Sequence, residues 1–251
     1  MPMKVVAIIP ARYASSRFPG KPLIKLDGMT MIERTYKQAK KSRLVSEVIV
    51  ATDDERIAEA VKAFGGMVEM TDSQHPTGTD RLAEVVKRHP EIDIIANVQG
   101  DEPLIEPAAI DAVIEPLLAD PSIGMATLAA PLTQTAEIES PSVVKVVKAL
   151  NNKALYFSRF PIPFYRQGSS NLSAYQGHKV LGHSGMYVYR RDILLKLATL
   201  LPSPLEIAES LEQLRALENG IDIFVVEDAY RPVAVDSPAD VEKIEALLSR
   251  L

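Results

Sequence analysis

The chain has 251 residues, of which 47% are hydrophobic, and this is enough to bury the core of one large α/β domain, so extended disorder is excluded. The formal net charge of −5 excludes a general binder of nucleic acid or membrane surfaces, although it permits one local anion site. The absence of cysteine excludes disulfides, thiolate zinc sites and a cysteine nucleophile. No stretch reaches the roughly 18 apolar residues that span a bilayer, and the N-terminal residues lack a signal-peptide pattern. We therefore expect a cytoplasmic protein with neither membrane nor nucleic-acid partners.

Strand and helix patterns alternate through the first half of the chain. Apolar runs predict strands at 5–9, 48–51, 67–70 and 93–98. Helical patterns lie between the strands. The first spans 31–41, the second runs from the capping box at 52–55 to residue 64, and the third follows the loop at 71–77 and ends at residue 87. Such alternation is typical of a doubly wound, mostly parallel Rossmann-like α/β sheet with helices on both faces.

The pattern changes from about residue 124, where longer extended stretches begin. Strand-like runs at 125–130, 143–150, 156–157 and 181–189 predict a β-rich insertion at about 124–190, within a single domain of residues 1–251. The polar stretch 166–173 predicts a mobile loop. Further on, Ser203 and Ser237 each stand before a proline, which predicts two helix starts.

Positive charge is concentrated in the loop that follows the first strand. Its basic residues precede Asp27, the first acidic residue of the chain, and are Arg12, Arg17, Lys21 and Lys25. A loop that leaves the carboxyl end of a parallel strand lies where open α/β sheets bind ligands, and Arg, Lys and backbone N–H groups suit a polyphosphate. The loop matches neither the P-loop nor the G-x-G-x-x-G pattern, so the usual ATPase and dehydrogenase interpretations lose their main support. We interpret it as a triphosphate site, with a solvated basic loop as the alternative.

Two aspartates are placed to bind a metal ion next to that loop. Asp101 follows the strand 93–98 at the carboxyl edge of the sheet, and Gly100 before it permits close approach of a ligand. Asp236 ends the extended run 232–235, so two strand ends would bring these carboxylates together. Since Mg²⁺ binds one or two carboxylates together with phosphate oxygens, Asp101 and Asp236 are its predicted ligands. The alternatives are a turn or cap role for Asp101 and a capping-neighbour role for Asp236.

Five segments in register resemble one enzyme family. They are IIPARYASSRFPGKPL at 8–23, HPTGTDRLAEV at 75–85, NVQGDEPLI at 97–105, ALYFSRFPIP at 154–163 and PSPLEIAESLEQLRAL at 202–217. This set, spread over nearly the whole chain, is similar to the signatures of 3-deoxy-manno-octulosonate (Kdo) cytidylyltransferases, also called CMP-Kdo synthetases. Around Asp236 the sequence AVDSPAD resembles the family's VDTPED, with the aspartate retained.

The resemblance implies the residues that bind CTP. By position in the signatures these are Ala11, Arg12, Ser15, Arg17, Lys21, Gly78, Thr79 and Arg81. Arg12, Arg17 and Lys21 would contact the phosphates, and the segment 78–81 would complete the cytosine and ribose side. Arg12 and Lys21, with the two metal ligands, are the predicted catalytic residues. For Arg81 a surface ion pair with Glu84 is the alternative.

The resemblance also implies a set of residues that bind the sugar acid. They are Gln99, Arg159, His183, Tyr187, Glu209, Glu212 and Gln213. The last three are spaced to share one helix face, for which an ordinary solvated face is the alternative. Ser184 and Val188 differ from the family pattern around His183 and leave the fit of the sugar open. The remaining histidines, His75, His89 and His178, receive no functional role.

The implied reaction is Mg²⁺-dependent transfer of CMP from CTP to the anomeric hydroxyl of Kdo, giving CMP-Kdo and pyrophosphate for lipopolysaccharide biosynthesis. No protein nucleophile is needed, because positioning and charge stabilisation serve an in-line attack at the α-phosphorus. The resemblance also implies a homodimer, with the β-rich region after Gly124 as its interface. One alternative is a cytidylyltransferase for a related acid, such as 8-amino-Kdo or a sialic acid. The other is a non-catalytic nucleotide-binding protein, against which retention of the metal carboxylates argues.

Overall fold

One large sheet organises the computed structural model, which describes residues 3–14, 18–165 and 179–249. A separate hairpin is formed by the second and third strands. The strands are β1 (Val5–Ala11), β2 (Lys25–Leu26), β3 (Met29–Thr30), β4 (Glu47–Thr52), β5 (Met67–Met70), β6 (Ile94–Asn97), β7 (Met125–Pro131), β8 (Lys145–Lys148), β9 (Ala154–Ser158), β10 (Leu181–Arg190) and β11 (Phe224–Glu227).

Helices connect most of these strands. They are α1 (Met31–Ala39), α2 (Glu55–Ala63), α3 (Gly78–Arg88), α4 (Pro107–Ala119), α5 (Thr135–Glu139), α6 (Arg191–Leu197), α7 (Pro204–Glu209), α8 (Gln213–Glu218) and α9 (Pro238–Leu248). A single-turn 3-10 helix at Lys21–Leu23 lies in the basic loop. Within the described ranges, no helix has both the length and the apolar character needed to cross a bilayer.

The strand order of the main sheet is β11-β7-β10-β6-β1-β4-β5. The half built from β6, β1, β4 and β5 is parallel throughout. β10 runs antiparallel to both β6 and β7, while β11 is parallel to β7. The predicted α/β class with a mostly parallel sheet is therefore confirmed.

Helices cover both faces of the sheet because the central strands are buried on both sides. In β1, Val5, Ala7 and Ile9 pack on one face in a cluster that includes residues of α1, α2 and α4. Val6 and Ile8 pack on the other face, in a cluster that includes residues of α3, α6 and α8. This continuous burial explains why β1 reads as an uninterrupted apolar run in the sequence.

The two predicted serine helix starts are present. Ser203 is the N-cap residue of α7 and Ser237 that of α9, and in each the acidic residue three positions later accepts a hydrogen bond from the serine N–H. The predicted mobile loop at 166–173 lies outside the described residues.

Two sequence-based expectations need correction. The run 232–235 is not a strand, because it pairs with no neighbouring strand. The helical segment after Ser203 is not continuous, because Ser210 takes a left-handed conformation with φ 52° and ψ 50° and separates α7 from α8. Within the β-rich segment, β7 and β10 belong to the main strand order, and β8 and β9 lie off it.

Candidate active site

The candidate site lies where β1, β6 and the N-terminus of α3 meet. β1 and β6 are parallel neighbours, with Ile8 in register with Asn97, so both strands end at the same edge of the sheet. The turn after β6 crosses close to β1: a Cβ added to Gly100 would lie 3.0 Å from the carbonyl oxygen of Pro10. A larger residue at position 100 would therefore push Asp101 away from the end of β1.

The basic loop places Lys21 against Asp101. Gly20, with φ 75°, donates its N–H to the Tyr13 carbonyl at 2.9 Å, and Lys21 opens the following 3-10 turn. The Tyr13 ring is itself covered by the Arg56 guanidinium, 3.3 Å from the ring centroid. From this position the Lys21 Nζ lies 2.7 Å from Asp101 Oδ2.

Asp236 joins the same group from the far end of the sequence. The Val235 N–H donates to the Asp101 carbonyl at 3.0 Å, and buried Val235 packs with Leu26 and Met31. These contacts place Asp236 Oδ1 3.9 Å from Lys21 Nζ. The prediction that Asp101 and Asp236 lie together is thus met, although a docked irregular segment rather than a strand end delivers Asp236.

The two carboxylates form a donor set that fits Mg²⁺. Mg²⁺ in nucleotide enzymes typically takes one or two carboxylates, with phosphate oxygens and water completing its coordination. Asp101 and Asp236 have side chains 30% and 53% exposed, so a phosphate chain and water can reach both. Both carboxylates are accessible to solvent, as an ion shared between them and a phosphate chain requires.

A second cross-link supports the Asp236 segment and was missed by sequence reasoning. The Tyr230 hydroxyl donates to Oε2 of Glu102 at 2.9 Å. Glu102 directly follows Asp101 in the chain. Glu102 is buried, and burial raises its pKa to about 8. Its only signal in the sequence is its place directly after Asp101 in the motif NVQGDEPLI.

Arg12 links the end of β1 to the loop before α3. Its guanidinium donates to the carbonyl oxygens of His75 and, at 3.4 Å, Thr77. His75 is fixed in turn by Glu84, 2.5 Å from its ring nitrogen. Among the described residues, the partners of the Arg12 guanidinium are therefore backbone carbonyls.

Arg81 lies inside the protein and not at the surface, where the alternative ion pair with Glu84 would have placed it. It is completely buried, hydrogen-bonds Thr71, and pairs with Asp53 at 3.1 Å. Desolvation lowers the pKa of Arg81, against the attraction of Asp53. The alternative partner Glu84 contacts His75 and Arg88 instead. Arg81 is thus placed to brace the loop before α3 from inside the protein.

Most of the other predicted CTP residues line one open cavity of about 440 Å³, here called cavity A. Its walls include Ala11, Arg12, Lys21, Gly78 and Asp101. Ser15 and Arg17 lie outside the described residues.

A second cavity of about 170 Å³, here called cavity B, adjoins it on the α8 side of the sheet. Of the predicted sugar residues, those that line it are Gln99, Tyr187, Glu212 and Gln213. Thr79, predicted on the nucleotide side, also lines cavity B. Burial raises the pKa of Glu212, and a hydrogen bond with Thr79 opposes this rise. Sequence reasoning assigned no role to Asn97 and Tyr189, which line the cavity. Asn97 is the first residue of the motif NVQGDEPLI, whereas Tyr189 carries no signal beyond its position in a strand.

Two polar groups at cavity B are buried without a hydrogen-bond partner among the described residues. They are the Tyr187 hydroxyl and the Asn97 Oδ1. An unpaired buried polar group is costly, and such groups concentrate where a ligand supplies the missing partner. This is the pattern expected around a polyhydroxylated substrate.

His183 lies behind Tyr187 rather than on the cavity wall. Its Nε2 is 2.8 Å from Thr127 Oγ1, and its ring contacts Tyr187 with centroids 5.2 Å apart. Burial lowers the pKa of His183 to about 3, so the imidazole is neutral. His183 therefore positions Tyr187 without contributing charge.

Arg159 and Glu209 hold the corner between β9 and α7. Arg159 donates to the Glu209 and Ser210 carbonyls at 2.8 and 3.2 Å, and Glu209 accepts from Ser158 Oγ at 2.7 Å. Because the helix breaks at Ser210, Glu209 does not share a face with Glu212 and Gln213, and that prediction is wrong.

The two departures from the family pattern in β10 do not reach cavity B. Val188 is fully buried in the cluster on the opposite face of the sheet from Tyr187. Ser184 is also buried, and neither residue lines the cavity.

The fold and this site, a basic loop beside two neighbouring carboxylates at the carboxyl edge of an α/β sheet, are those of a nucleotidyltransferase. Residues 6–223 match the model of the cytidylyltransferase family. The chain is 56% identical over 252 residues to the 3-deoxy-manno-octulosonate cytidylyltransferase of Geobacter metallireducens, and the alignment covers 99% of each chain. It is 53% identical over 246 residues to that of Geobacter sulfurreducens, with 96% of this chain and 98% of the relative covered.

Among solved structures, a CMP:2-keto-3-deoxy-manno-octonic acid synthetase complexed with CTP superimposes with a TM-score of 0.92 at 45% identity. The match covers 98% of this chain and 99% of that one. The chain belongs to the 3-deoxy-manno-octulosonate cytidylyltransferase family. The family, the fold class and the enzyme activity predicted from the sequence are confirmed.

Proposed function

We propose that the protein transfers the cytidylyl group of CTP to the anomeric hydroxyl of Kdo at the boundary between cavities A and B, giving CMP-Kdo for lipopolysaccharide biosynthesis. One observation carries this assignment of sites: Pro10, Gly78 and Gln99 line both cavities. A triphosphate bound in cavity A and a sugar acid bound in cavity B would therefore meet at these three residues.

The chain's own residues supply positioning and positive charge. As the anomeric oxygen bonds to the α-phosphorus, the bond from that phosphorus to the pyrophosphate oxygen breaks and the hydroxyl proton is released. Arg12 and Lys21 lie on the cavity A side, where they can stabilise charge on the departing pyrophosphate. Arg12 must exchange its backbone acceptors for phosphate oxygens to do so.

Asp101 and Asp236 would hold the Mg²⁺ that this reaction class uses. When bound, Mg²⁺ neutralises phosphate charge as a Lewis acid. Support comes from the shared position of the two carboxylates around one ammonium and from their access to solvent.

Cavity B would hold the hydroxyl-bearing part of Kdo. Gln99 lies on the wall shared with cavity A and donates weakly to the Gly185 carbonyl at 3.4 Å, so it can turn toward a ligand. Tyr187, Glu212 and Gln213 also line cavity B and offer a hydroxyl, a carboxyl and an amide to sugar hydroxyls. Arg159 and Glu209 would act by holding the chain segment that leads to Glu212.

The protein would act as a homodimer through the segment that carries β8 and β9. Four large apolar side chains are strongly exposed there, namely Leu150, Leu155, Phe160 and Phe164, with 62% or more of each surface open. A concentration of exposed apolar residues of this size indicates a surface that another protein covers.

The activity is tested by pyrophosphate release from CTP and Mg²⁺ with a panel of sugar acids: Kdo, 8-amino-Kdo and a sialic acid. Kdo should be the best substrate, and Asp101→Asn should remove the signal. Preference for another acid would leave the nucleotide half of the proposal intact. Binding of CTP with no release for any acid would support a non-catalytic nucleotide-binding protein instead.

A further inference from the structure

The metal carboxylates already hold a cation of the protein's own. The Lys21 ammonium lies 2.7 Å from Asp101 Oδ2 and 3.9 Å from Asp236 Oδ1. Lys21 is also the lysine predicted to bind the triphosphate, yet here its ammonium contacts the carboxylates. The ammonium cannot bind the carboxylates and the triphosphate in the same way at the same time.

Lys21 is held in this position by its surroundings. Its side chain is only 15% exposed, and its backbone begins the 3-10 turn that Gly20 and Tyr13 anchor. Part of its contact with Asp101 is thus shielded from the water that would weaken an exposed ion pair.

An ammonium and a divalent cation compete for these oxygens. Mg²⁺ bonds to carboxylate oxygens at about 2.0–2.1 Å, so an ion shared by Asp101 and Asp236 would lie within a few ångströms of the ammonium. Repulsion between a double and a single positive charge at that separation is strong in a partly buried site. Binding of the metal therefore requires the ammonium to leave.

The triphosphate of CTP supplies the alternative partner. We propose that Lys21 is a stand-in cation, which keeps Asp101 and Asp236 together in the free enzyme and blocks divalent-metal binding until the triphosphate draws its ammonium away. This inference rests on the metal site of the proposed function. It makes nucleotide binding the event that opens the metal site.

Mn²⁺ binding without nucleotide tests the inference. Mn²⁺ replaces Mg²⁺ as a probe visible by electron paramagnetic resonance and is titrated into the full-length wild type, Lys21→Met and the matched control Lys25→Met. Lys25 is an exposed lysine four residues further on, in β2, that lines neither cavity. We expect Lys21→Met to bind Mn²⁺ at least about tenfold more tightly than the other two, since it loses one positive charge next to the ion.

The double variant Asp101→Asn/Lys21→Met separates the inference from the metal site on which it rests. It should lose the tight Mn²⁺ binding that Lys21→Met gains. Equal Mn²⁺ affinity of wild type and Lys21→Met, abolished by Asp101→Asn, would overturn the stand-in role and leave the metal site standing. Tight binding retained in the double variant would overturn both, because the ion would then lie elsewhere.

A measurement on the wild type covers the case in which the variants fold poorly. The NMR signal of the Lys21 ammonium should stay unchanged when Mg²⁺ alone is added and should shift when CTP is added with a chelator present. A shift caused by Mg²⁺ alone, of the size that CTP causes, would contradict the proposal.

Discussion

Asp101 and Asp236 come from opposite ends of the chain and depend on each other at the level of single side chains. We predict that Asp101→Asn and Asp236→Asn each lower kcat by about 10²–10³-fold, the loss that removal of one transition-state contact typically causes. Because both carboxylates serve one ion, the double variant should be little worse than either single variant. Steady-state kinetics across Mg²⁺ concentrations measures this.

The control for this pair is Asp222→Asn, whose carboxylate is exposed, pairs with Lys153 and lines neither cavity A nor cavity B. It should behave as wild type. Multiplying losses in the double variant, independent of Mg²⁺, would mean that the two aspartates have separate structural roles.

The unpaired hydroxyl of Tyr187 gives a sharper test of cavity B. If the hydroxyl served only packing, Tyr187→Phe would leave stability equal or higher, because the variant removes a buried polar group without a partner. If the hydroxyl contacts Kdo, the variant should also raise the KM for Kdo by about tenfold, which corresponds to the free energy of one lost hydrogen bond.

The comparison for this variant is Tyr36→Phe, which loses a 3.1 Å hydrogen bond from the Met67 N–H and should lower the melting temperature without changing either KM. An unchanged KM for Kdo in Tyr187→Phe, with an unchanged KM for CTP, would exclude the hydroxyl from the sugar site.

Sequence reasoning placed single residues well where a motif continues directly from a strand end. Lys21, Gln99 and Asp101 follow β1 and β6, whose neighbouring ends could be inferred from the alternating pattern. It did not reveal the burial of Arg81, because that burial depends on a partner from another loop, Asp53, that helical spacing cannot show. Asn97 received no role because it still lies within β6, although it opens the motif NVQGDEPLI.

At the scale of elements, the break between α7 and α8 decides which side chains face cavity B. Ser210 occupies the left-handed region at φ 52°, which costs a residue with a Cβ about 1–2 kcal/mol. We predict that Ser210→Gly is at least as stable as wild type in urea unfolding, whereas Ser210→Val loses about 1–2 kcal/mol, because a β-branched residue tolerates this conformation poorly.

Ser210→Val should also raise the KM for Kdo, since the break sets the direction of Glu212. Equal stability of the glycine and valine variants would show that the left-handed turn does not form. The sequence did not reveal this break because the 209–212–213 spacing favours one helix and a serine, not a glycine, makes the turn.

The cap of α9 predicts a specific response to acid. Hydrogen bonds from Ser237 and Lys243 hold the pKa of Asp240 down to about 2. The folded pKa lies below the unfolded one, so this stabilisation is complete above pH ~4 and is lost as pH falls through about 2. We predict that Asp240→Asn lowers the free energy of unfolding by about 1 kcal/mol at neutral pH, after allowance for solvent screening, with the difference from wild type vanishing near pH 2.

Urea unfolding of wild type and Asp240→Asn at a series of pH values measures this difference. A constant gap down to the lowest pH would show that the cap acts by shape and not by charge. Because α9 packs on buried Val235 through Ile244, the variant should also loosen the Asp236 segment.

At the scale of the whole molecule, the strand order explains how much of the fold the sequence predicts. The parallel half from β6 to β5 follows from regular alternation of strands and helices. β10 enters the sheet antiparallel, between β6 and β7, after the alternation has ended. Long-range pairing of this kind leaves no local pattern, which is why the segment after Gly124 was expected as an insertion.

The exposed apolar residues around β8 and β9 predict the assembly. We expect the wild type to sediment as a dimer at micromolar concentration, and Leu155→Glu or Phe160→Glu to sediment as a monomer, because a buried charge at an interface is costly. Leu201→Glu is the matched control, since Leu201 is 84% exposed but lies outside this segment. A monomeric wild type, or dissociation by Leu201→Glu alone, would contradict the proposed interface.

Two cavities that share the wall of Pro10, Gly78 and Gln99 also offer a route to inhibition. A compound that joined a pyrimidine nucleotide to a polyhydroxylated acid through a short, stable bridge would place its second half at high effective concentration once the first half had bound. Its binding free energy would then approach the sum of the two separate binding free energies, less the cost of any strain in the bridge. The length of that bridge is set by the width of a single shared wall.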